Sequence, residues 1–274
     1  MGVPQQLTDT EWLLLTTPDD TEEAPWMVNP GFQSRIVALL VSILRRYARR
    51  QPQPWYIEPE LKVVMPRQII RLDLDLGPDL LLAQTEDVTR DSWDLEKEGG
   101  PPFLVIEVVT KDSRKRDLEA KPRLYEQMGV QEYLIFDPRR ARGARLSGYR
   151  RNDQGRWLPW LPDQPGQLHS AALGGLWFFE EPGEPHNWLR VRDRWGNRLP
   201  SDEEAAQAAE EAAQAAEERA ESEAARAESE AARAESEAAR AEREATARAL
   251  AEERAAAALA ELERLRALRG QPPS

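Results

Sequence analysis

The run PFLVIEVV at residues 102–109, together with the shorter run PDLLLA at residues 78–83, decides the fold of this chain. Both runs are apolar over the length of one strand, which is typical of strands buried on both faces. Each run also carries one carboxylate, Glu107 in the longer and Asp79 near the start of the shorter. Because a buried carboxylate is costly unless it is paired or bound to a cation, both residues are candidates for chemistry.

The residues after Glu107 predict how the strands are connected. Residues 117–128 have a helical pattern, Gly129 is suited to the end of that helix, and residues 133–136 form another apolar run before Asp137-Pro138. Strand, helix and strand in this order predict a crossover unit with two parallel strands. We therefore expect an α/β (α+β) protein.

The flanking sequence predicts further elements around this unit. Asn29 and Pro30 predict the start of an amphipathic helix over about residues 31–50 that packs on a sheet. Residues 69–76 alternate apolar and charged side chains, as a half-buried strand does. Residues 144–200 hold short strand candidates and five of the nine Trp, which predicts an antiparallel extension with Trp in its core. The alternative is a Trp platform that stacks on nucleic-acid bases.

From residue 201 onward the sequence consists almost entirely of Ala, Glu, Arg and Gln. Ser201-Asp202-Glu203-Glu204 is a capping-box arrangement, and three AESEAAR units from residue 220 repeat with a period of seven. The chain is therefore predicted to have a domain over residues 1–200, a single helix or coiled coil over 201–270, and a tail over 271–274. Ala fills most of the apolar positions of this heptad repeat. Larger apolar side chains are clustered near its C-terminal end, at Leu259, Leu262, Leu265 and Leu268. Because Ala buries little area, self-association should depend on these leucines or on the front domains.

Composition excludes several classes of site. The chain has 274 residues and no Cys, so it holds no disulfide and no thiolate metal site, which suits a reducing compartment. The N-terminal residues do not resemble a signal peptide, and no apolar run approaches the ~18 residues of a membrane span. We therefore expect a cytoplasmic protein without a membrane partner.

The net charge of −12 lies mostly in the C-terminal part of the chain. Residues 201–270 hold 19 acidic and 10 basic residues, so the remainder is nearly neutral. A nearly neutral domain can still bind a polyanion through a local basic patch. Arg114-Lys115-Arg116 is the nearest candidate for phosphate contacts, although such a charge run is more often a solvated face.

Lys121 completes the set of residues that a metal-dependent phosphodiesterase needs. Two carboxylates on adjacent strands hold a hard cation through oxygen, and that cation polarises a phosphate and lowers the pKa of its bound water. A nearby lysine stabilises developing negative charge or orients the attacking water. The alternative is purely structural: Asp79 caps a turn, and Glu107 forms an ion pair with a basic residue such as Lys121.

Several motifs together carry a family resemblance: Pro78-Asp79, Pro102 to Thr110 with Glu107 inside, Arg116-Asp117 with Lys121, Tyr125, Gly129 to Tyr133, and Asp137-Pro138. The sequence resembles the Uma-type family of restriction-endonuclease-like proteins, in the PD-(D/E)XK nuclease superfamily, over about residues 25–200. The resemblance implies a mixed central sheet flanked by helices. It also implies Asp79 and Glu107 as ligands of Mg²⁺ or Mn²⁺, the Val108 carbonyl as a third candidate ligand, and Lys121 as a catalytic residue.

The sequence departs from the superfamily pattern at two places. The usual lysine lies two residues after the glutamate, where this chain has Val109, and in this family it has moved to the following helix. That points to Lys121, with Lys111 as the weaker substitute, and Pro122 places Lys121 at a helix start or kink. Relatives also carry an acidic residue near the N-terminus of the domain. The predicted first helix has none, and Glu58 and Glu60 are candidates for this role.

These observations favour a Mg²⁺-dependent endonuclease that acts on DNA, with a C-terminal helix for self-association as a homodimer or for partner docking. The rival hypothesis is a non-catalytic scaffold that keeps a nuclease fold for binding nucleic acid or protein and works through its C-terminal coiled coil. The presence of Asp79, Glu107 and Lys121 favours the enzyme. The nearly neutral front domain and the missing N-terminal acidic residue favour the scaffold.

Overall fold

The structure is a computed structural model that describes residues 30–65, 76–111, 113–160, 162, 164–183 and 188–269. Asn29, most of the predicted strand at 69–76 and the predicted tail at 271–274 lie outside these residues. The chain divides into two compact units, Met1–Ala206 and Gln207–Ser274. The boundary that the sequence predicts at residue 200 stays a prediction.

A mixed six-stranded sheet forms the centre of the first unit. Its strands are β1 Tyr56–Pro59, β3 Leu80–Ala83, β5 Leu104–Val108, β6 Glu132–Phe136, β7 Leu146–Arg151 and β8 Trp157–Pro159. The spatial order is β1-β3-β5-β6-β7-β8, and only β5 and β6 are parallel within this sheet. The predicted crossover between two parallel strands is therefore confirmed. A separate parallel pair joins β2 Val63–Val64 to β4 Trp93–Asp94.

The two faces of the central sheet carry two separate apolar cores. One core includes α1, Pro30–Ala48, and a three-stranded antiparallel sheet of β9 Gln167–Ser170, β10 Leu176–Glu181 and β11 Trp188–Arg192. The other core includes α2, Lys121–Met128. The mixed sheet flanked by helices, which the family resemblance implies, is confirmed.

The side chains of β5 alternate between these two cores. Leu104 and Ile106 lie in the core of α1, whereas Val105 and Val109 lie in the core of α2. Because successive side chains of a strand point to opposite faces, Glu107 faces the core of α2. The helix that follows β5 in sequence therefore packs over the carboxylate that β5 carries.

The C-terminal part of the first unit is antiparallel, as the sequence predicts. The sequence missed β1, β9 and β10, which have no clear alternation of apolar and polar residues, and also β4, which is only two residues long in a polar segment. Trp157 and Trp160 are buried in the cores, as predicted. Trp195, by contrast, is 76% exposed.

One continuous helix, α3 Asp202–Arg269, follows. It begins with the predicted capping box, in which Ser201 N–H donates to Glu204 Oε2 at 2.8 Å and Glu204 N–H donates to Ser201 Oγ at 3.2 Å. Leu259, Leu262 and Leu265 are exposed. The coiled coil stays a prediction. No helix among the described residues combines the length and apolarity needed to cross a membrane.

Candidate functional site

The register of two strands brings Asp79 and Glu107 together. β3 runs antiparallel to β5 with Leu80 opposite Ile106, so the preceding residue, Asp79, reaches Glu107. The backbone N–H of Asp79 lies 3.4 Å from Glu107 Oε2. Asp79 Oδ2 accepts a 2.6 Å hydrogen bond from the N–H of Val108. The two carboxylates therefore meet on adjacent strands, with Glu107 fully buried and Asp79 half-buried.

Lys121 reaches the same place from α2. Its Nζ donates to Glu107 Oε1 at 2.7 Å and to the backbone carbonyl of Gly77 at 3.3 Å. The lysine side chain is 3% exposed, so this ion pair is shielded from solvent. Gly77 lies two residues before Asp79, and Lys121 therefore connects both carboxylate-bearing segments. The sequence predicts from Pro122 that Lys121 lies at the start of a helix or at a kink. In the structure Lys121 is the first residue of α2.

A wide helical turn positions Lys121 over β5. Residues Arg116–Ala120 form a π-helical turn, in which the N–H of Lys121 donates to the carbonyl of Arg116. Pro122 follows directly and has no N–H to donate to the carbonyl of Leu118, which favours a break in the α-helical pattern here. The hydroxyl of Tyr133 donates to the backbone carbonyl of Asp117 at 2.9 Å and ties this turn to β6.

Asp117 is a member of the site to which the sequence analysis assigned no role. It is 1% exposed, and its Oδ1 lies 3.0 Å from Lys121 Nζ. That contact is an ion pair without hydrogen-bond geometry, and neither carboxylate oxygen of Asp117 has a hydrogen-bond partner among the described residues. The available signal was its spacing, four residues before Lys121, which places the two side chains on one face of a helix.

Two further side chains hold the carboxylates in place. The amide of Gln33 on α1 donates to Asp79 Oδ1 at 2.6 Å. The hydroxyl of Tyr125 lies 3.3 Å from Glu107 Oε1 and donates to it. Gln33 lies on α1, which contains no Asp or Glu. Helix α1 therefore contributes an amide to the site and no carboxylate. Nothing in the local sequence distinguishes Gln33 from a surface residue.

Burial and charge shift the acidity of these groups in consistent directions. Burial raises the pKa of Glu107 well above its usual range, although the Lys121 ammonium opposes the shift. Burial also raises the pKa of Asp79, against the hydrogen bonds from Val108 and Gln33. Burial alone would lower the pKa of Lys121, but the charges of Glu107 and Asp117 outweigh it and raise that pKa. Burial therefore opposes ionisation of Glu107 and Asp79, whereas the neighbouring carboxylates favour the charged form of Lys121.

The remaining predicted candidates lie outside this cluster. Lys111 is exposed, and Glu58 forms an ion pair of 2.7 Å with Arg45. Glu60 has a positive φ of 53° in the turn before β2. Across the described ranges, no three Asp, Glu, His or Cys side chains are arranged to hold one metal ion. The metal-binding role of Asp79 and Glu107 stays a prediction.

A comparison with known protein families agrees with this geometry. The profile of the Uma2 family, described as "Putative restriction endonuclease", matches residues 23–180. No curated protein sequence is significantly similar to the chain. The matched residues include both carboxylates, Lys121 and all six strands of the central sheet. The description of the family supports nuclease activity in broad terms. The chain therefore belongs to the Uma2 family, within the PD-(D/E)XK nuclease superfamily.

Proposed function

We propose that this protein is a Mg²⁺- or Mn²⁺-dependent endonuclease that hydrolyses phosphodiester bonds of DNA. The observation that carries the proposal is the meeting of Asp79, Glu107 and Lys121 in one buried cluster. These residues come from three separate elements, and the Glu107–Lys121 contact is only 2.7 Å long. Perturbed carboxyl groups beside a buried lysine are more typical of a reactive site than of a surface ion pair.

The donor set suits a hard divalent cation. Asp79 and Glu107 offer carboxylate oxygens, and a magnesium site commonly needs only one or two carboxylates besides water and substrate phosphate. We also assign the Val108 carbonyl to this set, as the family resemblance implies. When Asp79, Glu107 and Asp117 are all ionised, the buried ammonium group of Lys121 neutralises one of three negative charges, and the exposed Arg116 lies farther away, 4.0 Å from Asp117 Oδ1. The excess of two negative charges in a largely buried cluster equals the charge of one divalent cation.

The residues of the chain have distinct roles in this proposal. A bound cation would polarise the scissile phosphate and lower the pKa of its water. Gln33 and the Val108 N–H fix both oxygens of Asp79, so this carboxylate is oriented before a ligand arrives. Lys121 supplies a positive charge that stabilises the charge developing on the phosphate or orients the water. To do so, its ammonium group has to leave Glu107 Oε1.

Basic residues between β5 and the π-helical turn would contact the DNA backbone. Lys115 and Arg116 are exposed there, close to Glu107 in sequence. Phosphate contacts from such residues supply most of the sequence-independent affinity for DNA. Arg139 and Arg145, farther along the chain, are weaker candidates for DNA contacts, because Arg139 contacts Asp137 at 3.1 Å and Arg145 lies 3.6 Å from Glu180.

Two measurements on the full chain test the proposal. Supercoiled plasmid should be nicked or linearised in Mg²⁺ or Mn²⁺ and remain intact in a chelator. The metal should also raise the melting temperature, because a ligand at 100 times its Kd stabilises the folded state by about 2.7 kcal/mol. Asp79→Ala and Glu107→Ala should abolish both effects. The proposed site is wrong if both variants keep the wild-type metal shift.

One observation favours the non-catalytic scaffold as a second candidate. Glu107 is already paired with Lys121, so the cluster is partly neutralised without a metal. A nuclease fold that only binds DNA would retain this pair as a structural contact. In that case the protein would bind plasmid without cleaving it in any metal, and residues 201–270 alone would capture the partner.

A further inference from the structure

We infer that Asp117 is a positioning residue, which retains Lys121 in the site when Glu107 exchanges its ion pair for a divalent cation. The inference rests on the proposed function. The observation that supports it is the geometry around the Lys121 ammonium group. Lys121 Nζ lies 2.7 Å from Glu107 Oε1 and 3.0 Å from Asp117 Oδ1.

The two carboxylates make unequal contacts with the lysine. Glu107 accepts a hydrogen bond from Lys121 and also receives bonds from Tyr125 and the Asp79 N–H. Asp117 is equally buried, yet its Oδ1 has ion-pair contacts alone, with Lys121 Nζ at 3.0 Å and Arg116 Nε at 4.0 Å, and neither of its oxygens has a partner in hydrogen-bond geometry among the described residues. A buried carboxylate without hydrogen bonds is costly, so its presence here calls for an explanation.

An exchange of partners by Lys121 provides that explanation. If Glu107 held a divalent cation, the Lys121 ammonium group would be repelled and would lose its 2.7 Å ion pair with Glu107. Asp117 sits four residues before Lys121 on the same helical turn and can accept the hydrogen bond that Glu107 releases. Lys121 would then stay in the cluster through the carboxylate that already lies 3.0 Å from its ammonium group.

The backbone around Asp117 is held firmly enough for this role. The N–H of Asp117 donates to the carbonyl of Ser113 at 2.9 Å, and its own carbonyl accepts from the Tyr133 hydroxyl at 2.9 Å. Ser113 in turn exchanges hydrogen bonds with Thr110, directly after β5. The carboxylate of Asp117 is thus fixed relative to the strand that carries Glu107.

A double-mutant cycle on Mn²⁺ affinity tests the inference. Mn²⁺ binding is measured by electron paramagnetic resonance on the wild-type chain, Asp117→Asn, Lys121→Met and the double variant. Lys121→Met should tighten binding, because it removes the charge that competes for Glu107. Asp117→Asn should weaken binding about tenfold in the wild-type background, a coupling typical of charged residues in contact. In the Lys121→Met background the same change should cost about twofold or less.

Cleavage kinetics provide a second readout. Asp117→Asn should lower kcat and leave KM for plasmid unchanged, because Asp117 is buried and contacts no DNA. Glu132→Gln is the matched control, since Glu132 is also a buried carboxylate but bonds to Ser170 and the N–H of Ala171. It should change neither Mn²⁺ affinity nor kcat. If Asp117→Asn does not fold, Asp117→Ser gives the same comparison.

The outcomes separate this inference from the proposed function. Equal losses of Mn²⁺ affinity in both backgrounds would mean that Asp117 acts on the cation directly, and would overturn the inference alone. No loss in the wild-type background would overturn it as well. A wild-type chain that binds no Mn²⁺ and cleaves no plasmid would overturn the proposed function, and the inference with it.

Discussion

The side-chain amide of Gln33 donates a 2.6 Å hydrogen bond to Asp79 Oδ1 across 46 positions of sequence. The N–H of Val108 binds the other oxygen of the same carboxylate. Helix α1 and strand β5 therefore fix Asp79 from opposite sides, so the orientation of this carboxylate depends on a helix that carries no charge into the site.

Removing this amide should weaken the metal site without unfolding the protein. We predict that Gln33→Leu lowers Mn²⁺ affinity about tenfold, because a hydrogen bond to a charged group contributes about 1.5 kcal/mol or more. Titration calorimetry measures the change. Gln51→Leu is the control, since the Gln51 amide donates to the Tyr47 carbonyl and not to the site. Equal affinity in wild type and Gln33→Leu would remove Gln33 from the site.

Lys121 should be needed for cleavage but not for metal binding. We predict that Lys121→Ala reduces plasmid cleavage by roughly 10² or more, the loss expected for one preorganised electrostatic group. In chelator its melting temperature should fall, because the variant leaves Glu107 buried without its partner. Mg²⁺ should restore much of that loss. Lys111→Ala, an exposed lysine nearby, should cleave almost normally, and comparable cleavage by both variants would contradict the assignment.

Acid should weaken the contact between the first turn of α3 and the second sheet. Burial raises the pKa of Glu204, but hydrogen bonds from Arg190, Arg198 and Ser201 outweigh it and lower the pKa to about 2. A carboxylate with a depressed pKa contributes stability that is fully present above its unfolded value and is lost as pH falls. Melting temperature should therefore drop between about pH 4.5 and pH 2.

Glu204→Gln isolates this contribution. The variant should melt below the wild type at neutral pH, and the difference between the two should shrink as the pH falls towards 2. Glu203→Gln is the matched control, because it lies in the same turn without these arginine contacts among the described residues. A difference that is constant over the acidic range would assign the stabilisation to another group.

Two truncations test where the folded front unit ends. Arg190 lies 2.7 Å from Glu204, and Arg49 lies 2.6 Å from Asp202. We therefore predict that a chain ending at residue 210 melts like the full chain and keeps metal-dependent cleavage. A chain ending at residue 200 loses these contacts and should melt roughly 2 °C or more lower. Calorimetry of both chains measures the difference, and an unfolded 210-residue chain would refute a separate front domain.

The candidate site residues that could be predicted from the sequence are charged residues in apolar segments. Glu107 lies within one apolar strand, and Asp79 lies at the start of another. Because a buried charge is costly, their positions alone identify both residues as candidates. Lys121 follows the strand of Glu107 closely enough to be a candidate on its own, and the family resemblance favoured it over Lys111. The central crossover was predictable for a different reason: apolar runs and a helical pattern alternate clearly between residues 102 and 136.

The remaining members of the site depend on tertiary contacts that leave no local pattern. Gln33 looks like any polar residue on an amphipathic helix, and it reaches Asp79 only because α1 packs beside β3 and β5. Asp117 follows three basic residues, so its sequence context suggests an exposed charge, whereas the π-helical turn buries it. The strands β9 and β10 escaped prediction because their burial follows from pairing in the order β11-β10-β9 and from packing in the core of α1.

The alternation of β5 between two cores limits how the length of this strand can change in evolution. A one-residue insertion or deletion between Leu104 and Ile106 would turn every later side chain of the strand to the opposite face. Glu107 would then enter the apolar core beneath α1, away from Lys121, and a bulky aliphatic side chain would face the lysine. Homologous domains with a working site should therefore vary in length in the turns around β5 and not within it.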